Sequence, residues 1–115
     1  MDKRFNSLSG EQAEIRARRY LKEHRYKILN TNFKNKIGEI DIIAEDNKVI
    51  VFVEVKYKDT SFFGLPREMV DVRKQYKIRQ VAMSYINKYS LHDKAIRFDV
   101  IEILGDKITH IKDCF

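Results

Sequence analysis

Two apolar runs with acidic side chains inside them constrain the fold of this chain more than any other feature. The first is Glu39–Ala44, which contains Asp41, and the second is Val49–Tyr57, which contains Glu54 and Lys56. Both are typical of β-strands, and the second is apolar enough to be a central one. A strand interior is a costly place for a carboxylate unless something binds it. The sequence therefore predicts a β-hairpin whose acidic side chains bind a ligand.

The acidic faces of the two strands coincide if the strands pair as a hairpin. Side chains alternate along a strand, so Glu39 and Asp41 share one face, as do Glu54 and Lys56. We expect the carboxylates of Asp41 and Glu54 to lie about 4–5 Å apart, the separation that one shared cation with short metal–oxygen bonds allows. Their mutual repulsion is expected to raise the pKa of at least one of them.

The convergence of Asp, Glu and Lys side chains is what metal-dependent phosphodiester hydrolysis requires. Mg²⁺ or Mn²⁺ binds a few carboxylate oxygens, keeps several waters and takes its remaining ligands from a phosphate. Asp41 and Glu54 would supply those oxygens, and the backbone carbonyl of Val55 would be a further ligand. Lys56 would lie beside the attacking water or the scissile phosphate. Glu39 is either an outer ligand of this site or the partner of a base in residues 34–36.

The distribution of charge favours a polyanionic ligand. The net charge is +6, and residues 37–55 hold five acids and one base. This acidic hairpin is flanked by residues 16–36, with eight Lys/Arg and one acid, and by residues 56–79, with seven Lys/Arg and three acids. DNA is the expected partner, and RNA is the second candidate.

The spacing of apolar and turn-forming residues predicts the order α-β-β-β-α-β-β. This order indicates an α/β fold in which a mixed central β-sheet is flanked by helices, in one domain over residues 1–115. Asp99, in the fourth strand, is interpreted as a polar residue of the core, and the three histidines have no ligand spacing. The predicted elements are a helix from a capping box at Ser9 to about residue 24 or 25, strands over residues 26–33, 39–44 and 49–57, a loop at 61–66, a helix from Asp71 to about 89, and strands over 97–104 and 107–111.

Cysteine usage and hydropathy indicate a cytoplasmic protein. The single cysteine, Cys114, excludes a disulfide framework and suits a reducing compartment. No apolar run is long enough to span a membrane, and the charged first ten residues do not form a signal peptide. We therefore expect no membrane partner.

The two acidic motifs also resemble a known superfamily. The pattern GEIDIIA, followed by VFVEVK, resembles the PD-(D/E)XK nucleases, with Asp41 as the first acid and Glu54-Val55-Lys56 as the second motif. More closely, the chain is similar to the YraN-like family of small bacterial proteins, from Gly10 to about Glu102. The further matching residues are Gly10, Glu14, Ala17, Tyr20, Leu21, Asn32, Phe63-Gly64, Lys74-Gln75 and Arg97-Phe98-Asp99-Val100.

The resemblance implies a restriction-endonuclease-like fold, akin to that of archaeal Holliday junction resolvases. In such enzymes a glutamate of the first helix often joins the metal site, and Glu14 matches that position. The alternative for Glu14 is a helical ion pair with Arg18. Lys58 stands where an arginine is common, which keeps a charge for phosphate but loses the bidentate fork. Lys74 and Gln75, in the first turn of the second helix, are further candidates for phosphate contact, although the helix dipole disfavours a cation there.

Two hypotheses from different functional classes follow. The first is a Mg²⁺-dependent endonuclease that acts on DNA, with branched or damaged DNA as the expected substrate. The second is a non-catalytic module that binds nucleic acid or a protein partner on the same fold. The complete set of Asp41, Glu54 and Lys56 favours the first. Homodimerisation through the apolar loop residues Phe62-Phe63 is a further expectation.

Overall fold

The computed structural model describes residues 9–58 and 70–115 and confirms the predicted α/β architecture and element order. The predicted loop at 61–66, including Phe62-Phe63, lies outside the described residues. The elements are α1 (Gly10–Glu23), β1 (Lys27–Lys34), β2 (Glu39–Asp46), β3 (Val49–Lys58), α2 (Val72–Lys88), β4 (Ala95–Leu104) and β5 (Lys107–Ile111).

The strands form one five-stranded mixed sheet in the order β1-β2-β3-β4-β5. The β3–β4 pair is parallel and is joined by a connection that includes α2, whereas the other pairs are antiparallel. A tight turn joins β2 to β3, and its residues Asn47 and Lys48 both have positive φ angles, of 54° and 76°. Such turns match the natural twist of paired strands, which fixes the register of the hairpin that carries the acids.

The two helices cover opposite faces of the sheet. The small residues Ala13 and Ala17 of α1 allow a close approach, and with Leu21 they pack on Ile42, Val53 and other apolar side chains of one face. The other face packs against the predicted apolar stripe of α2, and this second core contains Ile78, Val81, Ala82, Tyr85 and Ile86 with Ile43, Phe52 and Val100. Each central strand is therefore buried on both sides, which explains its nearly continuous apolar sequence.

Strict alternation of side chains is interrupted at Asp41. Ile40 packs in the α2 core, but Ile42, two residues later, packs in the α1 core. The register pairs Phe33 with Ile40 and Thr31 with Ile42, so Asn32 of β1 lies opposite Asp41. Asn32 has a left-handed φ of 52°, a conformation that asparagine tolerates better than most residues. The simple alternation used to assign faces therefore fails locally, at the position of the first acid.

Neither helix of the described part of the chain is long and apolar enough to cross a membrane.

Candidate active site

The hairpin of β2 and β3 brings Asp41 and Glu54 together. The antiparallel register ends at the pair Ile42–Val53, and the two acids come next on their respective strands. The carboxylate Oδ2 of Asp41 accepts a hydrogen bond of 2.8 Å from the backbone N–H of Val55. The carboxyl groups of Asp41 and Glu54 are themselves close enough to share a proton. The predicted convergence of the two acids is therefore present.

Asp41 holds its proton unusually tightly. The pKa of Asp41 is raised from 3.8 to about 7: burial is the largest cause, the negative charges of Glu54 and Glu14 contribute to the rise, and the Val55 N–H acts to lower it. The expected rise in the pKa of one member of the acid pair is thus confirmed, with burial as its largest cause. Near neutral pH, the proton on Asp41 occupies a place that a cation could take.

Glu54 has a different environment, because two lysines compensate its charge. Its side chain is only 4% exposed, and its Oε2 lies 2.8 Å from the Nζ of Lys74 and 3.4 Å from the Nζ of Lys56. Burial acts to lower the pKa of Lys74, but the hydrogen bond and the charge of Glu54 outweigh it, so this pKa is raised. One acid of the pair is therefore bound by ammonium groups while the other is bound by a proton.

The first turn of α2 positions Lys74 for this contact. Asp71 caps the helix, and its Oδ1 accepts a hydrogen bond of 2.8 Å from the backbone N–H of Lys74. The side-chain amide of Gln75 donates to the carbonyl of Val70, also over 2.8 Å, so this predicted phosphate-binding group is used within the chain. Glu54 explains how a lysine is tolerated at a helix N-terminus, where a cation is otherwise unfavourable.

Glu14 lies at the edge of the site. Its Oε1 accepts a hydrogen bond of 3.0 Å from the side-chain amide of Asn32, and its charge reaches Asp41. Residues 9–58 and 70–115 contain no group of three or more His, Cys, Asp or Glu side chains that could hold a metal ion. The acid pair is thus a two-carboxylate site, which suits a hard cation such as Mg²⁺ that keeps waters and takes further oxygens from a substrate. A ligand role for Glu14 stays a prediction, and in this structure its carboxylate is bonded to Asn32.

A cleft of about 480 Å³ opens beside the acid pair. One side is acidic and comes from β2, and the other is basic and comes from α2. Sequence reasoning did not single out Arg73 and Lys77, although their spacing of four residues would place both on one face of a helix. The charged residues that line the cleft are Glu39, Asp41, Asp71, Arg73, Lys74 and Lys77.

The remaining predicted residues lie around this centre. Glu39 is exposed and lines the cleft, but it also lies opposite Lys34 in the register, so both of its interpretations stay open. Lys58 is exposed at the end of β3. Glu102, which sequence reasoning missed, lies opposite Lys56 in the parallel pair. Its buried Oε2 has no hydrogen-bond partner among the described residues.

A second buried carboxylate, Asp99, belongs to a separate cluster. Asp99 is completely buried, and its oxygens accept hydrogen bonds from Arg97 (2.9 and 3.0 Å) and from the backbone N–H of Asp113 (2.9 Å). The Nε2 of His110 lies 2.7 Å from Asp99 Oδ2. Burial acts to raise the pKa of Asp99, but the bonds from His110 and Arg97 outweigh it, and the pKa is lowered. This cluster supports the core, and it includes a histidine that spacing alone did not connect to it.

Arg97 ties the Asp99 cluster to the turn end of the β2–β3 hairpin. Its guanidinium donates to Asp46 over 3.2 Å and to the hydroxyl of Tyr26 over 2.7 Å. Every nitrogen of this guanidinium therefore has an acceptor, and the arginine is held in one place.

Comparison with known proteins places this chain among a group of bacterial relatives. The sequence profile of a family described as "Uncharacterised protein family UPF0102" matches residues 13–103. A UPF0102 protein of Persephonella marina is 43% identical, over 96% of each chain. One from Clostridium botulinum is 46% identical over 98% of each chain. Another, from Caldicellulosiruptor bescii, is 48% identical over 84% of this chain and 87% of its own.

Proposed function

This chain belongs to the UPF0102 family, which confirms the YraN-like resemblance, and we propose that it is an endonuclease that hydrolyses DNA phosphodiester bonds with Mg²⁺ or Mn²⁺. The main support is the close pair of Asp41 and Glu54, in which Glu54 contacts Lys56 and Asp41 lines a cleft that has a basic side. Two neighbouring buried carboxylates repel each other unless a cation binds them. A hard divalent cation matches a site whose ligand atoms are all oxygens.

Each residue of the pair has a role in this reaction. Asp41 and Glu54 would hold the cation, and the carbonyl of Val55 would complete the protein ligands. When bound, the cation would lower the pKa of a coordinated water and offset negative charge on the scissile phosphate. Because the pKa of Asp41 is raised, its carboxyl group would have to release a proton to solvent before it could serve as a cation ligand. The ammonium of Lys56, 3.4 Å from Glu54, is suited to orient the attacking water and to stabilise charge that develops on the phosphate.

The basic side of the cleft would bind the DNA backbone. Arg73, Lys74 and Lys77 line it, and Lys58 extends the positive charge past the end of β3. Phosphate contacts position DNA without reading its sequence. The expected substrates are therefore recognised by their shape and not by their sequence, and branched or damaged DNA has such a distinct shape. RNA is the second candidate substrate. Phosphate binding by Gln75 stays a prediction, because its amide is bonded to Val70.

Cleavage assays with matched variants test the proposal. The purified chain is incubated with junction, flap, single-stranded and duplex DNA in the presence of Mg²⁺ or Mn²⁺. Asp41→Asn, Glu54→Gln and Lys56→Ala are each expected to lower cleavage by at least roughly 100- to 1,000-fold, because the first two remove a ligand of the cation and the third removes the ammonium beside the reacting phosphate. Their affinity for DNA in metal-free buffer should change little, since that affinity rests on the basic side of the cleft.

Two exposed residues far along the chain from the acid pair serve as controls. Asp93→Asn and Lys94→Ala make the same chemical changes and should cleave at the wild-type rate. DNA binding without cleavage of any of the four substrates would instead favour the non-catalytic binding module. Cleavage that survives in Asp41→Asn would contradict the assignment of the site.

A further inference from the structure

We propose that Lys74 is an exchangeable counter-ion. It neutralises Glu54 while the acid pair holds no divalent cation, and it leaves Glu54 to bind a phosphate of the nucleic acid when the cation binds. This inference rests on the proposed function of the site. The inference adds that cation binding and DNA binding are coupled, because the same lysine moves in response to the cation and then contacts the DNA.

The geometry at Glu54 requires that an ammonium group leave. Both lysines contact the same oxygen, Oε2, at 2.8 Å for Lys74 and 3.4 Å for Lys56. A divalent cation bound to this buried carboxylate would repel each ammonium about twice as strongly as a unit charge at the same distance would. Asp41 and Glu54 together carry at most two negative charges, so a divalent cation and two lysines leave an excess of positive charge that favours the departure of one lysine.

Lys74 is the lysine that can move without disturbing the fold. Its side chain is 46% exposed, compared with 22% for Lys56, so its ammonium can turn into solvent. Its backbone is fixed independently, because Asp71 accepts its N–H and Gln75 binds Val70 next to it. Lys56, by contrast, lies on the central strand β3, two residues beyond Glu54. Release of Lys74 therefore costs one ion pair and no secondary structure.

The new partner of Lys74 is expected in the same cleft. Lys74 lines it together with Arg73 and Lys77, so an ammonium that turns away from Glu54 remains beside other phosphate-binding groups. The dipole of α2 also favours an anion near its first turn. A lysine here needs an anionic partner, and a phosphate can replace the carboxylate. Each ligand should thus strengthen the binding of the other, as reciprocal coupling requires.

Amine acetylation with mass spectrometry tests the release directly. Ca²⁺ is used in place of Mg²⁺ so that DNA stays intact, and modification of Lys74 is measured in the full chain with and without the ion. Ca²⁺ should accelerate acetylation of Lys74 severalfold relative to Lys56, which contacts the same Glu54 oxygen and is the internal reference. Addition of DNA to the Ca²⁺-bound protein should then protect Lys74.

Binding measurements with charge-matched variants test the coupling. In wild type, Ca²⁺ should tighten DNA binding by roughly 5- to 20-fold. Lys74→Met should bind Ca²⁺ more tightly in the absence of DNA. In this variant the factor by which Ca²⁺ tightens DNA binding should fall toward one. Lys77→Met removes the same charge from the same cleft but keeps the Lys74–Glu54 contact, so its coupling should persist. Lys74→Arg should retain most of the coupling.

Two negative outcomes are distinguishable. Equal acetylation of Lys74 with and without bound Ca²⁺, or equal coupling in the Lys74→Met and Lys77→Met variants, would overturn the exchange and leave the metal site standing. Calorimetry that detects no Ca²⁺ or Mn²⁺ binding in wild type would overturn the proposed function itself, and the exchange with it.

Discussion

Two carboxylate clusters that are wholly or partly buried in the described part of the chain differ in how their charge is compensated. Asp99 is completely buried, yet donors reach both of its oxygens and its pKa is lowered. Asp41 is only partly buried, but it has one backbone donor and a neighbouring carboxylate, and its pKa is raised to about 7. Burial by itself therefore does not separate a structural acid from a functional one. The donors and charges around each acid decide the direction in which its pKa shifts.

The two clusters lie on opposite faces of the sheet. His110, which contacts Asp99, packs against Tyr20 of α1, whereas Glu54 of the acid pair binds Lys74 of α2. Asp99 is the register partner of Val53, the residue next to Glu54, so the sheet itself separates the two sites.

The largest expected difference is in the free energy of unfolding of aspartate variants. Asp99→Asn leaves Arg97 and His110 without their buried anion and should lower this free energy by about 3–5 kcal/mol. Asp41→Asn removes a repulsive partner of Glu54 and should leave the free energy unchanged or higher in metal-free buffer. Urea denaturation of both variants measures the difference. Equal losses would mean that both clusters are structural.

The response to divalent cations should separate the clusters next. Mn²⁺ at about 100 times its dissociation constant should raise the free energy of unfolding by ~2.7 kcal/mol, because it binds only the folded state. Asp41→Asn should abolish this gain, whereas the exposed Asp93→Asn should keep it. Melting temperatures recorded over a Mn²⁺ titration provide the measurement. A gain of the same size in Asp41→Asn would show that the ion binds elsewhere.

The pH dependence of stability should have opposite signs at the two acids. The pKa of Asp41 is raised from 3.8 to about 7, so the folded state holds this proton more tightly than the unfolded state does. The resulting stabilisation is complete below the unfolded pKa and is lost as the pH rises through about 7. Stability should fall by on the order of 2 kcal/mol between about pH 4 and pH 8 without metal. The pKa of Asp99 is lowered in the folded state, so its carboxylate stabilises the fold at pH values above the pKa that Asp99 has in the unfolded chain. This contribution is lost in acid.

Denaturant titrations of wild type and Asp41→Asn across this range isolate the contribution of Asp41. The variant should lack the decline between about pH 4 and pH 8 but keep the loss of stability in acid. If the free energy of unfolding declines with pH in Asp41→Asn as it does in wild type, another group causes the decline.

The smallest expected effect concerns Glu102, the buried acid whose Oε2 has no hydrogen-bond partner among the described residues. Glu102→Met replaces an incompletely satisfied polar group by an apolar one and should raise the free energy of unfolding by about 1 kcal/mol. Glu102→Gln keeps a polar group at the same place and should change it less. Chemical denaturation of the two variants provides the comparison. A clear loss of stability in Glu102→Met would show that this carboxylate is compensated after all.

The acid pair could be predicted because it depends on short-range order. Asp41 and Glu54 lie in one hairpin whose turn sets the register, and two-residue alternation indicated which side chains would meet. Alternation also implies that Ile40 and Ile42 share one face of the sheet, but they pack in different cores. The change of face coincides with the left-handed backbone of Asn32 in the neighbouring strand, and a strand pattern by itself does not reveal that conformation.

Long-range contacts were predicted less completely. Lys74 was expected near phosphate, but its bond to Glu54 depends on where the β3–β4 crossover places α2. The positions of Arg73 and Lys77 in the cleft depend on that placement too. His110 had no sequence spacing that linked it to Asp99, because β4–β5 pairing brings them together.

The parallel pairing of β3 with β4 also affects the order in which the site assembles. The acid pair belongs to a local hairpin with a two-residue turn, and such units form within microseconds. The contact between Lys74 and Glu54 forms only when α2, in the connection between β3 and β4, packs on the sheet. Contacts between residues far apart in the sequence form slowly. Before the crossover closes, the hairpin should therefore present two carboxylates with only Lys56 beside them, and divalent ions should accelerate refolding of this chain by screening these carboxylates.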